Sequence, residues 1–198
     1  MASRRLRWAG VAPPVVDLPE AVIPDGDEAL VARAKEHPAA FAPLYRRYVG
    51  PIYGYCYQRL GTKELAEDAT SQTFTKALAA LPRYRSDSFR GWLYTIAHNV
   101  VTDLHRRRPT TPLDATWDVA DHAPSPEAQT IAAESERNVR RLLGRLTPGQ
   151  RDVIELELAG LTGPEIATVL GRRQGAIRAT RFRAYSALRD LLNEGADA

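Results

Sequence analysis

The chain is poor in the residues on which compact chemistries depend. Of its 198 residues one is cysteine and four are histidine. Cys56 alone excludes an intrachain disulfide, and His37, His98, His105 and His122 are too scattered to form with it a ligand cluster of metal-binding spacing. No run approaches the roughly 18 apolar residues of a membrane span, and Pro13 and Pro14 break the stretch a signal peptide would need. A glycine-rich phosphate loop is missing, as is a nucleophile beside a positioned base, so no enzyme class finds support. Neither an alternating strand pattern nor a repeat of roughly 20 to 50 residues occurs. The expectation is a soluble, cytoplasmic, all-α protein with no cofactor, no metal and no membrane attachment.

What is present is sufficient to fold. Apolar residues make up 44% and charged residues 26% of the chain, enough for two small helical domains or one ordinary domain. The net charge of +3 hides an uneven distribution. Residues 1–26 carry three Arg and three acids, and residues 27–108 carry thirteen basic against eight acidic groups. Residues 109–136 hold six acids and no base, and residues 137–198 hold eleven Arg against seven acids. A basic, acidic, basic order suits two modules that touch phosphate, joined by a segment that must avoid both them and DNA.

Proline and glycine punctuate this pattern. Pro13, Pro14, Pro19 and Pro24 mark residues 1–26 as a flexible leader. Helical periodicity begins at Asp27, with Leu30, Val31 and Ala34 on one face, and stops where His37 meets Pro38. A second helix accepts Pro43 in its first turn and buries Phe41, Leu44, Tyr45, Tyr48, Ile52, Tyr53, Cys56 and Leu60, with a kink expected at Gly50 and Pro51. Thr62 caps a third helix, which Pro82 ends, and Ser88 caps a fourth. The fourth carries the stripe Phe89, Trp92, Leu93, Ile96, Ala97, Val100 and Leu104, and Pro109 halts it. Residues 109–128, with Pro109, Pro112, Pro124 and Pro126, read as an extended acidic linker. Helical pattern resumes near Glu127 and runs to Leu146, and Thr147 with Pro148 opens the next helix. Thr162 and Glu165 have capping-box spacing and start a short helix over Pro164 to Leu170, which Gly171 terminates before a last helix from Gln174 to Asn193.

Two short helices around Gly171 to Gln174, backed by a third, form a candidate helix-turn-helix. Arg172, Arg173, Arg178, Arg181, Arg183 and Arg189 lie on or beside its second helix, with no acid between Gly171 and Leu188. Ile177, Ala184 and Leu188 supply its buried side. The B-DNA major groove admits one helix, and arginine can bridge phosphates or grip guanine edges. A stand-alone DNA-binding regulator would account for this half of the chain.

A stronger signal runs through the other half. The stretch Trp92 to Asp103, preceded by Glu67-Asp68-Ala69-Thr70-Ser71-Gln72-Thr73-Phe74, is joined by Gln150-Arg151-Asp152-Val153 and by Leu161 to Ala167. Together these resemble the extracytoplasmic-function, or group 4, sigma factors of bacterial RNA polymerase, over about 27–108 and 130–193. The resemblance implies a first domain over 27–108 that meets core polymerase and the −10 element. It implies a second over 129–194 that reads the −35 element. Asp68, Ser71 and Gln72 stand where the family contacts the polymerase clamp, Ser71 replacing the usual Gln. Their spacing puts them on one helix face, away from Ala66, Ala69, Phe74 and Ala77.

Tyr84 and Asn99 resemble positions of the pocket that traps an unstacked −10 base. The preceding loop includes Arg83, Arg85, Ser86, Asp87 and Ser88, while Arg90, Arg106 and Arg107 are available to phosphate. Trp92 reads as core more than as a base platform. On the last helix the resemblance puts Arg178, Ala179 and Phe182 on the −35 reading face, with Arg173 near its start. Arg181 and Arg183 join them as −35 candidates from the arginine pattern, and Thr180 stands where Arg is usual and Arg181 where an apolar residue is usual. The resemblance also implies that the linker passes through the polymerase interior toward the RNA exit path, and that an anti-sigma factor is a partner. From their charge, Asp114, Asp118 and Asp121 are expected to line a basic channel there as a nucleic-acid mimic.

Overall fold

The computed structural model describes residues 26–107 and 131–194. The expected leader, Gly26 apart, and the whole expected linker with Asp114, Asp118 and Asp121 lie outside these residues. The described chain is helical and falls into two compact units, one on either side of the linker region.

The N-terminal unit consists of α1 (Asp27–Glu36), α2 (Ala42–Leu60), α3 (Lys63–Ala80) and α4 (Phe89–Arg107), with short 3₁₀ turns at Pro38–Phe41 and Leu81–Arg83. The predicted stop at Pro38 follows from His37, which is extended as a residue before proline should be. At Pro82 the preceding Leu81 keeps helical torsions, and α3 tightens into the 3₁₀ turn Leu81–Arg83. Pro51 deprives the Arg47 carbonyl of a donor, yet α2 stays a single helix through Gly50 and Pro51. Thr62 Oγ1 accepts from the Leu65 amide at 3.4 Å, and Ser88 Oγ accepts from the Gly91 amide at 3.0 Å, so both predicted caps form.

The core lies where α2, α3 and α4 meet, around Leu44, Ile52, Cys56, Ala69, Ala77, Leu93, Ala97 and Val101. Alanines at these crossings let ridges of one helix settle into grooves of the next. Buried Thr70 and Thr73 satisfy their hydroxyls on the carbonyls of Ala66 and Ala69, at 2.6 and 2.7 Å. Burial pushes the Cys56 thiol up to about 12 against a partial pull from Thr70, which leaves it protonated and unreactive. Above this core, Phe41, Tyr45, Tyr48, Phe74 and Phe89 meet mostly edge to face, joining α2, α3 and α4.

The C-terminal unit consists of α5 (Ile131–Gly144), α6 (Pro148–Leu158), α7 (Gly163–Val169) and α8 (Gln174–Glu194). Leu143, Leu146, Ile154 and Ala184 form a core cluster, with Leu158, Ala187 and Leu188 packed against it. Arg151 fastens the end of α5 by donating to the carbonyls of Leu143 at 2.9 Å and Gly144 at 2.7 Å. At the predicted capping pair, Glu165 Oε2 accepts from the Thr162 amide at 2.8 Å, and Gln150 does the same for Thr147 at 3.0 Å. α7 ends in a left-handed residue, Gly171 at φ +60°, after which the Arg172 amide returns to the Ala167 carbonyl at 2.9 Å. That reversal makes the turn of the helix-turn-helix.

Candidate nucleic-acid interface

On α3 the buried side is Ala66, Ala69, Thr73, Phe74 and Ala77, so Asp68 and Ser71 come out exposed and Gln72 half-buried. Gln72 Nε2 donates to Asp68 Oδ2 at 2.8 Å, fixing the pair as one polar unit. Thr75 and the exposed Leu78 continue the same face one and two turns on. The result is a polar face, acidic at Asp68, with an apolar end.

The segment from Tyr84 to Ser88 connects the Leu81–Arg83 turn to α4. Tyr84 is half-buried, with its ring centroid 5.0 Å from Trp92 and 5.9 Å from Phe89, both edge to face. Burial raises the Tyr84 hydroxyl above its usual range, helped by the charges of Asp27, Asp87 and Glu28. Arg85 and Asp87 point to solvent, while Ser86 Oγ accepts from the Ser88 amide at 3.4 Å. Trp92 is half-buried: one part of its ring belongs to the aromatic cluster and the rest is open.

Along α4, Trp92, Asn99 and Arg106 recur every seven residues and therefore share one face. Asn99 and Arg107 are exposed, and Arg106 reaches Asp103 at 2.7 Å while remaining 77% exposed. Arg90 is half-buried, and its charge opposes the rise that burial and Asp27 impose on the Tyr48 hydroxyl. Arg90 thus sits closer to the helix junction than to the open strip. The buried side of α4 differs from the expected stripe: Gly91, Tyr94 and Val101 are buried, while Trp92, Ile96 and Leu104 are only half-buried.

In the C-terminal unit the inner side of α8 is Ile177, Thr180 and Ala184. Thr180 is only 8% exposed, which settles the helix phase: position 180 of this chain faces the core. Arg181 lies at the seam with α6, 3.6 Å from Glu157, and Tyr185 is raised by burial and by the same Glu157. Outward stand Arg173, Arg178, Ala179, Phe182 and Arg183, with Phe182 76% exposed. A large aromatic so open on a cationic helix has no packing role. Of the expected −35 residues, Arg178, Ala179, Phe182 and Arg183 share the outer face of α8, Arg173 is exposed just before the helix begins, and Arg181 lies at the margin.

Sequence reading alone missed Lys35, the hold of Arg151 on the end of α5, and the Glu157 partner of Arg181. Each acts across helices, and no local spacing signals it. Among the described residues there is no group of His, Cys, Asp and Glu fit to hold a metal, and no helix long and apolar enough to cross a membrane.

The fold and these surfaces define an all-helical protein with a helix-turn-helix. Comparison with known proteins sharpens that class. A family model for sigma-70 region 2 matches residues 44–110, and one for sigma-70 region 4 matches residues 136–188. ECF RNA polymerase sigma factor BldN of Streptomyces coelicolor is 37% identical over 175 residues, covering 84% of this chain but only 66% of its own length. ShbA of Streptomyces griseus, another ECF RNA polymerase sigma factor, is 32% identical over 84% of this chain and 95% of its own. RNA polymerase sigma factor CnrH of Cupriavidus metallidurans is 32% identical. A structure of CnrH in complex with the cytosolic domain of CnrY superposes with a TM-score of 0.69 at 29% identity, covering 88% of this chain and 100% of that one. The chain belongs to the extracytoplasmic-function (ECF) sigma factors of the sigma-70 family.

Proposed function

We propose that this chain is a transcription initiation factor that binds core bacterial RNA polymerase and directs it to a specific set of promoters. It acts in the cytoplasm and catalyses no reaction itself. The observation that carries this reading is the presence, in one chain and in family order, of a region 2 and a region 4 match, each on its own helical unit.

Asp68, Ser71 and Gln72 on α3 meet a basic helix of the polymerase clamp, the Gln72–Asp68 hydrogen bond presenting them together. The outer face of α8 enters the major groove at −35. There Arg173, Arg178 and Arg183 engage phosphates and guanine edges, Ala179 and Phe182 supply apolar contact to bases, and Arg181 tethers the helix margin. The −10 element is taken as single strand. Unstacking a base costs a few kcal/mol, and an aromatic surface returns about 1 to 3 kcal/mol. Tyr84 provides that surface, Asn99 a polar edge to read the base, and Arg85, Ser86, Asp87, Arg90, Arg106 and Arg107 the surrounding polar and cationic rim. Each contact alone is weak; mounted on one polymerase, the second becomes effectively intramolecular. An anti-sigma partner belongs to the same proposal, supported by the structure of CnrH with a bound partner domain.

Run-off transcription across a genomic promoter pool, with purified core polymerase, tests the reading. Transcripts that require both the polymerase and this chain are expected. Failure to associate with the polymerase, or tight duplex binding by the chain alone, would overturn it in favour of a stand-alone regulator.

A further inference from the structure

We infer that Lys35, on α1, is a positioning residue for the −10 pocket: it locks Tyr84 in the pose that receives an unstacked base. The inference rests on the reading of Tyr84 given above. Lys35 Nζ donates to the Tyr84 carbonyl oxygen at 2.9 Å and lies over the Tyr84 ring, 5.3 Å from its centroid. One ammonium thus grips both the backbone and the ring of the same residue, 49 positions away in sequence. The Tyr84 amide is also committed, donating to the Leu81 carbonyl at 3.0 Å. With both backbone polar groups tied and Phe89 and Trp92 against the ring, Tyr84 has little freedom left.

The clamp stands on a fixed element. Leu30, Val31 and Ala34 bury one side of α1, and at its other end Asp27 accepts from Arg47 and from the Tyr48 hydroxyl. An exposed lysine is a costly residue to immobilise, so a lysine ordered on an aromatic ring invites a role beyond charge. Preorganisation supplies that role, because a ring already in place loses no further entropy when a base arrives. A lysine so near the pocket could otherwise serve as a simple phosphate contact, and the two roles are separable.

The test uses holoenzyme, assembled from this chain and core polymerase, and −10 non-template-strand oligonucleotides either intact or carrying an abasic site scanned through the element. Wild-type holoenzyme should prefer the intact strand to the abasic strand at the captured position. Lys35→Met, which keeps the aliphatic stem, should shrink that preference by about three- to tenfold. It should leave the salt dependence of binding unchanged, and Lys35→Arg should restore the preference. If Lys35→Met instead weakens intact and abasic strands equally and lowers the salt slope by about one, the residue is a phosphate contact and the inference is wrong. An unchanged preference in Lys35→Met overturns it as well. If wild-type holoenzyme shows no preference at any position, the pocket reading falls and this inference falls with it.

Discussion

In the N-terminal unit the candidate DNA-facing aromatic, Tyr84, is half-buried and held from three sides by Lys35, Phe89 and Trp92. In the C-terminal unit its counterpart, Phe182, stands 76% exposed on α8 between the exposed Arg178 and Arg183. On the proposed function the contrast follows from what each surface has to meet. A base leaving its stack needs a prepared recess that replaces lost contacts at once, so the ring is set before the base comes. An intact duplex already has its shape, and a convex helix can slide into its groove with side chains free to adjust. On that reading, a held ring and an open one are two solutions carried by one chain.

The sharpest way to break that contrast is at Arg178. On the proposed function, Arg178→Ala should weaken engagement of −35 duplex by about 1 to 3 kcal/mol and leave the rate of strand opening from an assembled complex nearly unchanged. Duplex affinity and permanganate reactivity of the −10 region, measured on the same holoenzyme, separate the two steps. Equal losses in both would dissolve the division of labour.

Alkaline titration distinguishes the units by their interiors. The Cys56 thiol moves from 9.0 to about 12 on folding, and burial also raises Tyr48 and Tyr94 in the same unit. A raised acid favours the folded state fully below its unfolded value and loses that contribution as pH climbs toward the folded one. Between pH 9 and about 12 the N-terminal unit should therefore lose about 1.4 kcal/mol per pH unit from Cys56 alone. Urea unfolding followed by NMR signals of each unit should show α2 to α4 weakening first, and Cys56→Ala should flatten the fall between pH 9 and 10. Parallel decline of both units would contradict the difference.

The smallest effect is expected at Asn99. Asn99→Ala should impair opening by about 0.5 to 1.5 kcal/mol, the scale of one hydrogen bond, with little change in duplex affinity. Stopped-flow fluorescence of a base analogue in the −10 element reads it directly. A variant that lost duplex affinity alone would place Asn99 outside the pocket.

Much of the fold was legible because local chemistry and tertiary packing agree. Pro38, Pro43 and Gly171 delimit helices as their backbone restrictions demand, and Thr62, Ser88 and Thr162 stand at helix starts where their side chains have work. The buried side of α8 was also readable, apart from Thr180. Less legible were features set by three-body packing. α4 is covered from more than one side, so Gly91, Tyr94 and Val101 vanish from solvent beyond any single helical stripe. Lys35 and Arg151 look like ordinary surface charges until distant carbonyls arrive beside them. Arg181 read as one more cation for DNA, yet it lies beside Glu157 because α6 and α8 cross there.

Gly171 carries a consequence for how such a protein changes over generations. Its backbone, at φ +60°, is where α7 hands over to α8, and a Cβ there would meet no neighbour within 4 Å. Crowding therefore does not forbid a side chain; the left-handed torsion does, at about 1 to 2 kcal/mol. On the proposed function, a change at Arg178 would alter one contact with the −35 element. A change at Gly171 would shift the start of α8 and all its outer side chains together, so drift toward new targets would run along that outer face with the turn kept.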